Sequence, residues 1–420
     1  MGQSVILNET KKSRVTSPRA RKTPPPYVRV DLPFLGIVVT LLAIGLMMLF
    51  SASWDIAWKM EKPISYIFLR QLQWLALGVI IVAVLAFWDY RWVKKFAVLI
   101  LAGTIVALFV VLIVGEVRLG AARTLSDGSI QPSELAKMMI ILYLSVWLSA
   151  KQERLHDVSL GLIPMGILLG LVGGLIFLQP DLSAALTIFI LGGMMFFLAG
   201  GDAKQIAVLV VIALLAGWIV VWLNPTGNDR MATYLPGMEN PFAASYHVQR
   251  AMGAFVNGGW LGTGINNGTV KLVSLPLPHN DSIYAVIGEE LGVWGASLMV
   301  VLYSLLLWRV LVIAHNAPDD LGRLLAAGLG FWLTLEAFFN MGGLLGLLPF
   351  AGNALPFVSA GGSNLLVSLS VVGLLLNISR HSIEKRVSEE RRAFSEIISL
   401  RRWNGRRRVS RARRTRSSGR

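Results

Sequence analysis

The sequence predicts an all-α polytopic membrane protein with about ten transmembrane helices and one large structured extracellular loop. Three observations point there. Hydrophobic residues make up 55% of the chain and charged residues 15%, against about 25% charged in soluble domains. Apolar runs recur, each long enough to cross a hydrocarbon core ~30 Å thick. One connection, near 224–281, is far longer than the rest and too apolar for a disordered linker.

The chain opens with a basic tail, residues 1–31. It holds seven Lys or Arg in its first thirty positions and no apolar stretch before a small-residue cleavage site. The first span therefore acts as its own insertion signal. "TPPPY" forms a stiff spacer ahead of it. A membrane domain follows over 32–378. Spans are expected at 32–52, 69–88, 95–114, 132–150, 158–178, 181–200, 204–223, 282–313, 322–346 and 355–378. An even number puts both termini on one side. Lys and Arg in "DYRWVKK", in "AKQERLHD" and between Arg309 and Arg323 make that side cytoplasmic. The location is thus the inner (cytoplasmic) membrane, crossed many times. Trp54, Trp58, Trp74, Trp88, Trp92 and Trp222 fall near span ends, as interfacial aromatics should.

A second basic tail, 379–420, carries fifteen Lys or Arg against four Glu. It has no folded recognition motif, so attraction to anionic lipid headgroups is expected rather than nucleic-acid binding. With no cysteine, disulfides and Cys-based metal sites are excluded. The five histidines show no metal-binding spacing. In the long loop, "YHVQRAMGAFVNGGWLGTGINNG" reads as a short amphipathic helix and a tight Gly-rich turn, a cap lying on the outer membrane face.

Ionisable residues inside spans are costly and point to function by default. In "QPSELAK", Glu134 and Lys137 share one helical face, as a structural ion pair or as part of a site. In "FLQPDLS", Asp181 starts a helix, where a cap and a catalytic group are both open. In "SLPLPHNDSIYAVIGEELG", Asp281 could cap the following helix. Glu289 and Glu290 lie ~12–13 Å further along it and need partners, for which Lys or Arg on other spans are the candidates. In "NMGGLLGLLPFAGNALPFVSAGGSNLL", Pro349, Pro356, Gly361 and Gly362 break the helix at membrane depth. Such backbone survives only when buried in protein or lining a polar cavity. The four features are expected to converge on one pocket beneath the loop.

Taken as a set and in this order, "GAARTL…IQPSELAK", "QPDLS", "YHVQRAMGAFVNGGWLGTGINNG", "LPLPHNDSIYAVIGEELG" and "LPFAGNALPFVSAGGSNLL" resemble the SEDS family. These are the polytopic FtsW/RodA/SpoVE proteins of bacteria. "VIGEELG" is closest to the division-type FtsW branch; elongation members more often have Ala where this chain has Gly288. Some positions depart from the family pattern. Thr124 follows Arg123 in place of an aromatic, Ser183 replaces a glycine, Ala360 replaces a tyrosine, and Asn280–Asp281–Ser282 stands for the common "TDF".

The resemblance implies a peptidoglycan glycosyltransferase that polymerises lipid II, an undecaprenyl-pyrophosphate-linked disaccharide-pentapeptide. The setting is septal cell-wall synthesis during division. Asp281 matches the catalytic aspartate. It would act as general base or ligate a divalent cation, Mg or Mn. Arg123, Lys137 and Arg250 would face the pyrophosphate, with Glu134 orienting Lys137. Gln249, Ser359, Gly361 and Gly362 complete the expected substrate-binding set; Asp181, Glu289, Glu290, Pro349 and Pro356 are expected to be structural. The implied partners are lipid II, a class B penicillin-binding protein, other divisome proteins and the membrane. The alternatives are an elongation-type polymerase, a lipid II flippase or other transporter, and a non-catalytic scaffold.

Overall fold

The computed structural model describes residues 30–114, 116–118, 121–124, 132–179, 181–223, 225–385 and 388. The expectations for the two basic tails lie outside these residues, apart from 30–31, 379–385 and 388. The membrane helices are α1 (Leu32–Lys59), α2 (Tyr66–Phe87), α3 (Val93–Val114), α4 (Pro132–Ala150), α5 (Leu162–Leu178), α6 (Leu182–Leu198) and α7 (Ala203–Leu223). The long loop folds into α8 (Pro225–Glu239), α9 (Tyr246–Gly258) and α10 (Val270–Val273). The chain then returns as α11 (Ile283–His315), α12 (Asp320–Leu344) and α13 (Gly362–Lys385). Seven of the described helices are long and apolar enough to cross a membrane; three shorter apolar ones lie at 162–178, 182–198 and 203–215. A short antiparallel pair, β1 (Glu116–Arg118) and β2 (Ala121–Thr124), precedes α4 and was not expected.

Sequence-neighbouring helices pack as hairpins: α1 with α2, α3 with α4, α5 with α6, and α11 with α12. α12 is the central post, packed against α4, α6, α9 and α11 and buried along most of its length. By contrast α2 and α3 turn most of their side chains outward, as lipid-facing helices do.

The face away from the long loop is closed by polar side chains from distant parts of the chain. Asp31 caps α1 through the Phe34 N–H at 3.0 Å, and Arg309 at the far end of α11 holds it with two bonds of 2.8 and 2.9 Å. Asn377 donates to the carbonyls of Leu85, Ala86 and Trp88 and accepts from the Tyr90 N–H. It thereby satisfies the free end of α2 from α13. Asp319 caps α12 and accepts from Tyr90 and Arg91. Burial alone would raise its carboxyl, but the Gly322 N–H, the Tyr90 hydroxyl and Arg91 outweigh that and hold it below the usual range.

Three boundaries differ from expectation for physical reasons. α1 continues to Lys59, beyond 52, because Ser51, Ser53 and Ala57 are buried and Lys59 pairs with Asp55 one turn back at 2.5 Å. α13 starts at Gly362, since 345–361 is an irregular loop with positive φ at Gly346, Gly352 and Phe357. The expected single span 282–313 breaks at Gly292 (φ 68°, ψ −165°). The 293–315 portion is ~34 Å long, enough to cross the core alone. Residues 283–291 therefore belong with the loop rather than with the span.

The loop repairs that break. Thr263 and Gly264 donate to the freed carbonyls of Glu289 and Glu290, each at 3.0 Å, and the Val293 N–H reaches the Gly259 carbonyl at 2.9 Å. These three bonds replace helix bonds that the break removes. α9 is amphipathic as expected, burying Val248, Ala251, Ala254 and Gly258. A Cβ on Gly258 would lie 2.1 Å from the Gly288 carbonyl, so glycine lets α9 press directly onto α11.

Candidate active site at the loop face

Asp281 lies in the turn before α11 and is half-buried. Its turn is clamped through the backbone. Asn340 on α12 donates to the Asp281 carbonyl at 2.8 Å and to the Asn353 carbonyl at 2.6 Å. The Ser359 hydroxyl donates to the Asn280 carbonyl at 2.7 Å and accepts from the Leu355 N–H at 2.8 Å. The Ala360 N–H donates to the His279 carbonyl at 2.8 Å. A Cβ on Gly352 would sit 3.4 Å from Asp281 Oδ2, so the irregular loop after α12 runs directly past the carboxylate.

Asp281 stands one residue before the N-cap position of α11. Ser282 holds the N-cap position, and its hydroxyl donates to the Pro276 carbonyl instead. Beside Asp281, burial pushes the His279 ring below its ordinary value, and its Nδ1 has no hydrogen-bond partner.

One helical turn along α12 from Asn340 lies Glu336, which the sequence reading missed. Lys137 bonds to Glu134 at 2.7 Å and to Glu336, and lies 5.6 Å from the Trp332 ring centroid. Lys137 thus has two carboxylate partners rather than one, with its ammonium enclosed. Asn364 on α13 reaches Glu134 at 3.4 Å, and Ser133 reaches Asp181 at 3.3 Å. Asp181 caps α6 through the Ala184 N–H. Gln71 on α2 accepts from the Gly361 N–H and donates to the Ser359 carbonyl. Gly362 faces Trp74, whose ring a Cβ would meet at 2.5 Å. Tyr303 donates to the Pro356 carbonyl, fixing that loop from α11.

Glu289 and Glu290 form a separate cluster, and the cation that pairs with Glu290 comes from the loop, not from another span as expected. Lys271 of α10, a loop residue, pairs with Glu290 at 2.5 Å, and Ser51 of α1 donates to the same oxygen at 2.6 Å. Glu289 accepts from Asn257 and from the Thr269 and Val270 N–H groups. These two carboxylates fasten the cap to α1 and α11. Gln249 gives both amide hydrogens to the Phe242 and Ala244 carbonyls, ordering the turn into α9. Arg250 is exposed on α9, over the Tyr246 ring. Pro349 lies in the irregular loop. Arg123 is on β2, and its side chain lies outside the described residues.

Among the described residues, no three His, Cys, Asp or Glu gather to hold a metal. A divalent cation on Asp281 would take most of its ligands from phosphate and water, as Mg²⁺ commonly does.

The fold and site define a multi-pass membrane protein with a half-buried carboxylate turn clamped between α12 and the irregular loop that follows it. The sequence model of the FtsW/RodA/SpoVE family, described as "Cell cycle protein", matches residues 32–384. The chain belongs to that family. It is 37% identical over 355 residues to the "Probable peptidoglycan glycosyltransferase FtsW" of Geobacter sulfurreducens, covering 84% of this chain and 95% of that protein. A protein of the same name from Thioalkalivibrio sulfidiphilus is 34% identical, over 85% and 91%. Among solved structures, one described as "Structural coordination of polymerization and crosslinking by a peptidoglycan synthase complex" matches with a TM-score of 0.69 at 27% identity, over 84% of this chain and 98% of that one. The Rod shape determining protein RodA of Thermus thermophilus matches with a TM-score of 0.62 at 26% identity, over 85% and 98%.

Proposed function

We propose that this protein is a peptidoglycan glycosyltransferase of the division type, polymerising lipid II at the outer face of the cytoplasmic membrane with both termini inside. The observation that carries the reading is the Asp281 turn, fixed by Asn340, Ser359 and Ala360. Three backbone clamps on one carboxylate-bearing turn suit a group that must hold its position against a bound sugar. The two FtsW relatives described above, at 37% and 34% identity, support the division-type reading over the elongation type.

In this reading Asp281 takes the proton of the acceptor sugar's 4-hydroxyl. That oxygen bonds to the donor's anomeric carbon as the donor's bond to pyrophosphate breaks, with inversion to a β-1,4 link. Arg250 and Arg123 are the cations assigned to the leaving pyrophosphate. Lys137, already shared by Glu134 and Glu336, is assigned to holding α4 against α12 behind the site. A Mg²⁺ or Mn²⁺ ion, if bound, would supply further charge to the pyrophosphate. A class B penicillin-binding protein is the proposed partner; the synthase-complex structure supports it.

The test is polymerisation of labelled lipid II by purified protein with its cognate partner, comparing wild type with Asp281→Asn. Glycan from the wild type and none from a folded variant is the expected result. Equal product from both removes Asp281 from catalysis. No product from either, with lipid II moved across vesicles instead, favours a transporter.

A further inference from the structure

The turn that follows α9 is built inside out. Val256, Trp260 and Leu261 are 83%, 71% and 82% exposed, and Ile265 is exposed too. The polar side chains of the turn are spent on the cap itself. Asn257 donates to the Glu289 carboxylate at 2.8 Å, Thr263 to the Glu289 carbonyl at 3.1 Å and Asn267 to the Thr263 carbonyl at 3.3 Å. The Asn266 side chain accepts from Lys271 at 3.3 Å. No charged residue lies between Arg250 and Lys271. A turn facing water does the reverse, with polar groups outward and large apolar groups covered.

Backbone contacts set the height of this turn against the bilayer. Val293 begins the portion of α11 that is long enough to cross the core, and its N–H donates to the Gly259 carbonyl at 2.9 Å. A Cβ on Gly292 would lie 2.5 Å from the Trp260 carbonyl. Trp260 and Leu261 therefore stand at the level where α11 enters the membrane. Trp294, one residue into that span, is 67% exposed, as an interfacial tryptophan is. From there Leu298 and Val301 continue an exposed apolar face down α11. The helix α9 spends its own apolar face, Val248, Ala251 and Ala254, on packing within the protein. The turn, rather than the helix, is left to meet the bilayer.

We propose that residues 256–265 form a foot set into the lipid leaflet on the cap side. Its apolar side chains reach the boundary between headgroups and acyl chains, ~5–10 Å below the surface. The exposed patch runs without interruption of charge into the lipid-facing side of α11. It offers no charge by which a protein partner would be oriented. Its polar side chains are bonded inward, as contact with acyl chains requires. The foot also bears on the carboxylate turn. Gly258 presses on Gly288, seven residues after Asp281, so a hold on lipid at this end of α9 steadies the stretch of chain that leaves Asp281.

The natural chain has no cysteine, so one introduced cysteine carries one nitroxide. The full chain is placed in nanodiscs of phosphatidylethanolamine and phosphatidylglycerol. Labels go on Leu261→Cys and Val256→Cys. Ile167→Cys on the exposed side of α5 is the lipid reference, and Glu153→Cys in the loop before α5 is the water reference. Collisions with oxygen, which concentrates in lipid, are compared with collisions with a water-soluble nickel complex. The foot labels should favour oxygen several-fold, as Ile167→Cys does. A pattern like that of Glu153→Cys overturns the proposal. Weak collisions with both reagents mean a protein cover, a second copy of this chain, and overturn it too. A second variant guards against a label that draws itself into lipid. Trp260→Asp/Leu261→Asp changes only exposed side chains and should lower the oxygen preference at Val256→Cys several-fold. An unchanged preference there removes Trp260 and Leu261 as the anchor and overturns the foot.

Discussion

Glu336 and Asn340 stand one turn apart on α12. Through them one helix grips both Lys137 of α4 and the backbone of Asp281. The buried charge cluster and the carboxylate turn are therefore anchored to the same rigid element, and each can be perturbed separately.

Asn340→Ala removes the bonds to the Asp281 and Asn353 carbonyls without touching a charge. Misplacing a reacting group by about 1 Å can cost on the order of 10²-fold. Glycan synthesis should fall by about that factor while the thermal midpoint in detergent moves little. Unchanged activity would show that the turn holds its place without α12.

Lys137→Met leaves Glu134 and Glu336 facing each other with no cation between them. Breaking a buried pair by removing one partner costs ~3–5 kcal/mol. The double variant Lys137→Met/Glu336→Leu should recover much of that loss in a thermal unfolding series. A single variant as stable as wild type would show that the three groups are not coupled.

Gly292→Ala places a Cβ 2.5 Å from both the Gly262 nitrogen and the Trp260 carbonyl, at a φ of 68°. Strain of this kind alone costs up to ~3 kcal/mol. The expected result is a cap that no longer docks, read as new protease cleavage within 259–269. An intact, protease-resistant cap would mean that the break in α11 is not needed for docking.

Burial holds the His279 ring below its ordinary value, so the folded turn resists a proton that the unfolded chain accepts. The stability this gives is complete above pH ~6.5 and declines as the pH falls through the folded-state value. Amide protection factors in 274–282, corrected for the intrinsic pH dependence of exchange, should therefore fall on acidification in wild type and less so in His279→Gln. Identical pH profiles would show that His279 does not control the turn.

The ten apolar helices were legible because hydrocarbon thickness imposes a length that composition reveals directly. Asp181 as a helix cap was legible too, from the Pro180–Asp181 pair ahead of an apolar run. Glu336 was visible as a lone carboxylate in an apolar stretch, the same signal that singled out Glu134, and it was overlooked. The partner of Glu290 was harder. Lys271 sits in a loop, and nothing in its neighbours shows that the chain folds back onto α1. The break at Gly292 was hidden for a related reason. One glycine in a long apolar run is ordinary, and only the donors of Thr263 and Gly264, supplied from elsewhere, make a break there affordable.

Asn377 sets an order on biosynthesis. Its side chain closes the end of α2 and the turn to Tyr90, yet it lies 287–292 residues later in the chain. At ~5–20 residues per second, that corner waits on the order of tens of seconds at the ribosome before its last ligand exists. Arg309 imposes a similar delay on Asp31. A chain truncated before α13 would leave its earliest hairpin permanently open, a lesion by which quality control could recognise an unfinished molecule.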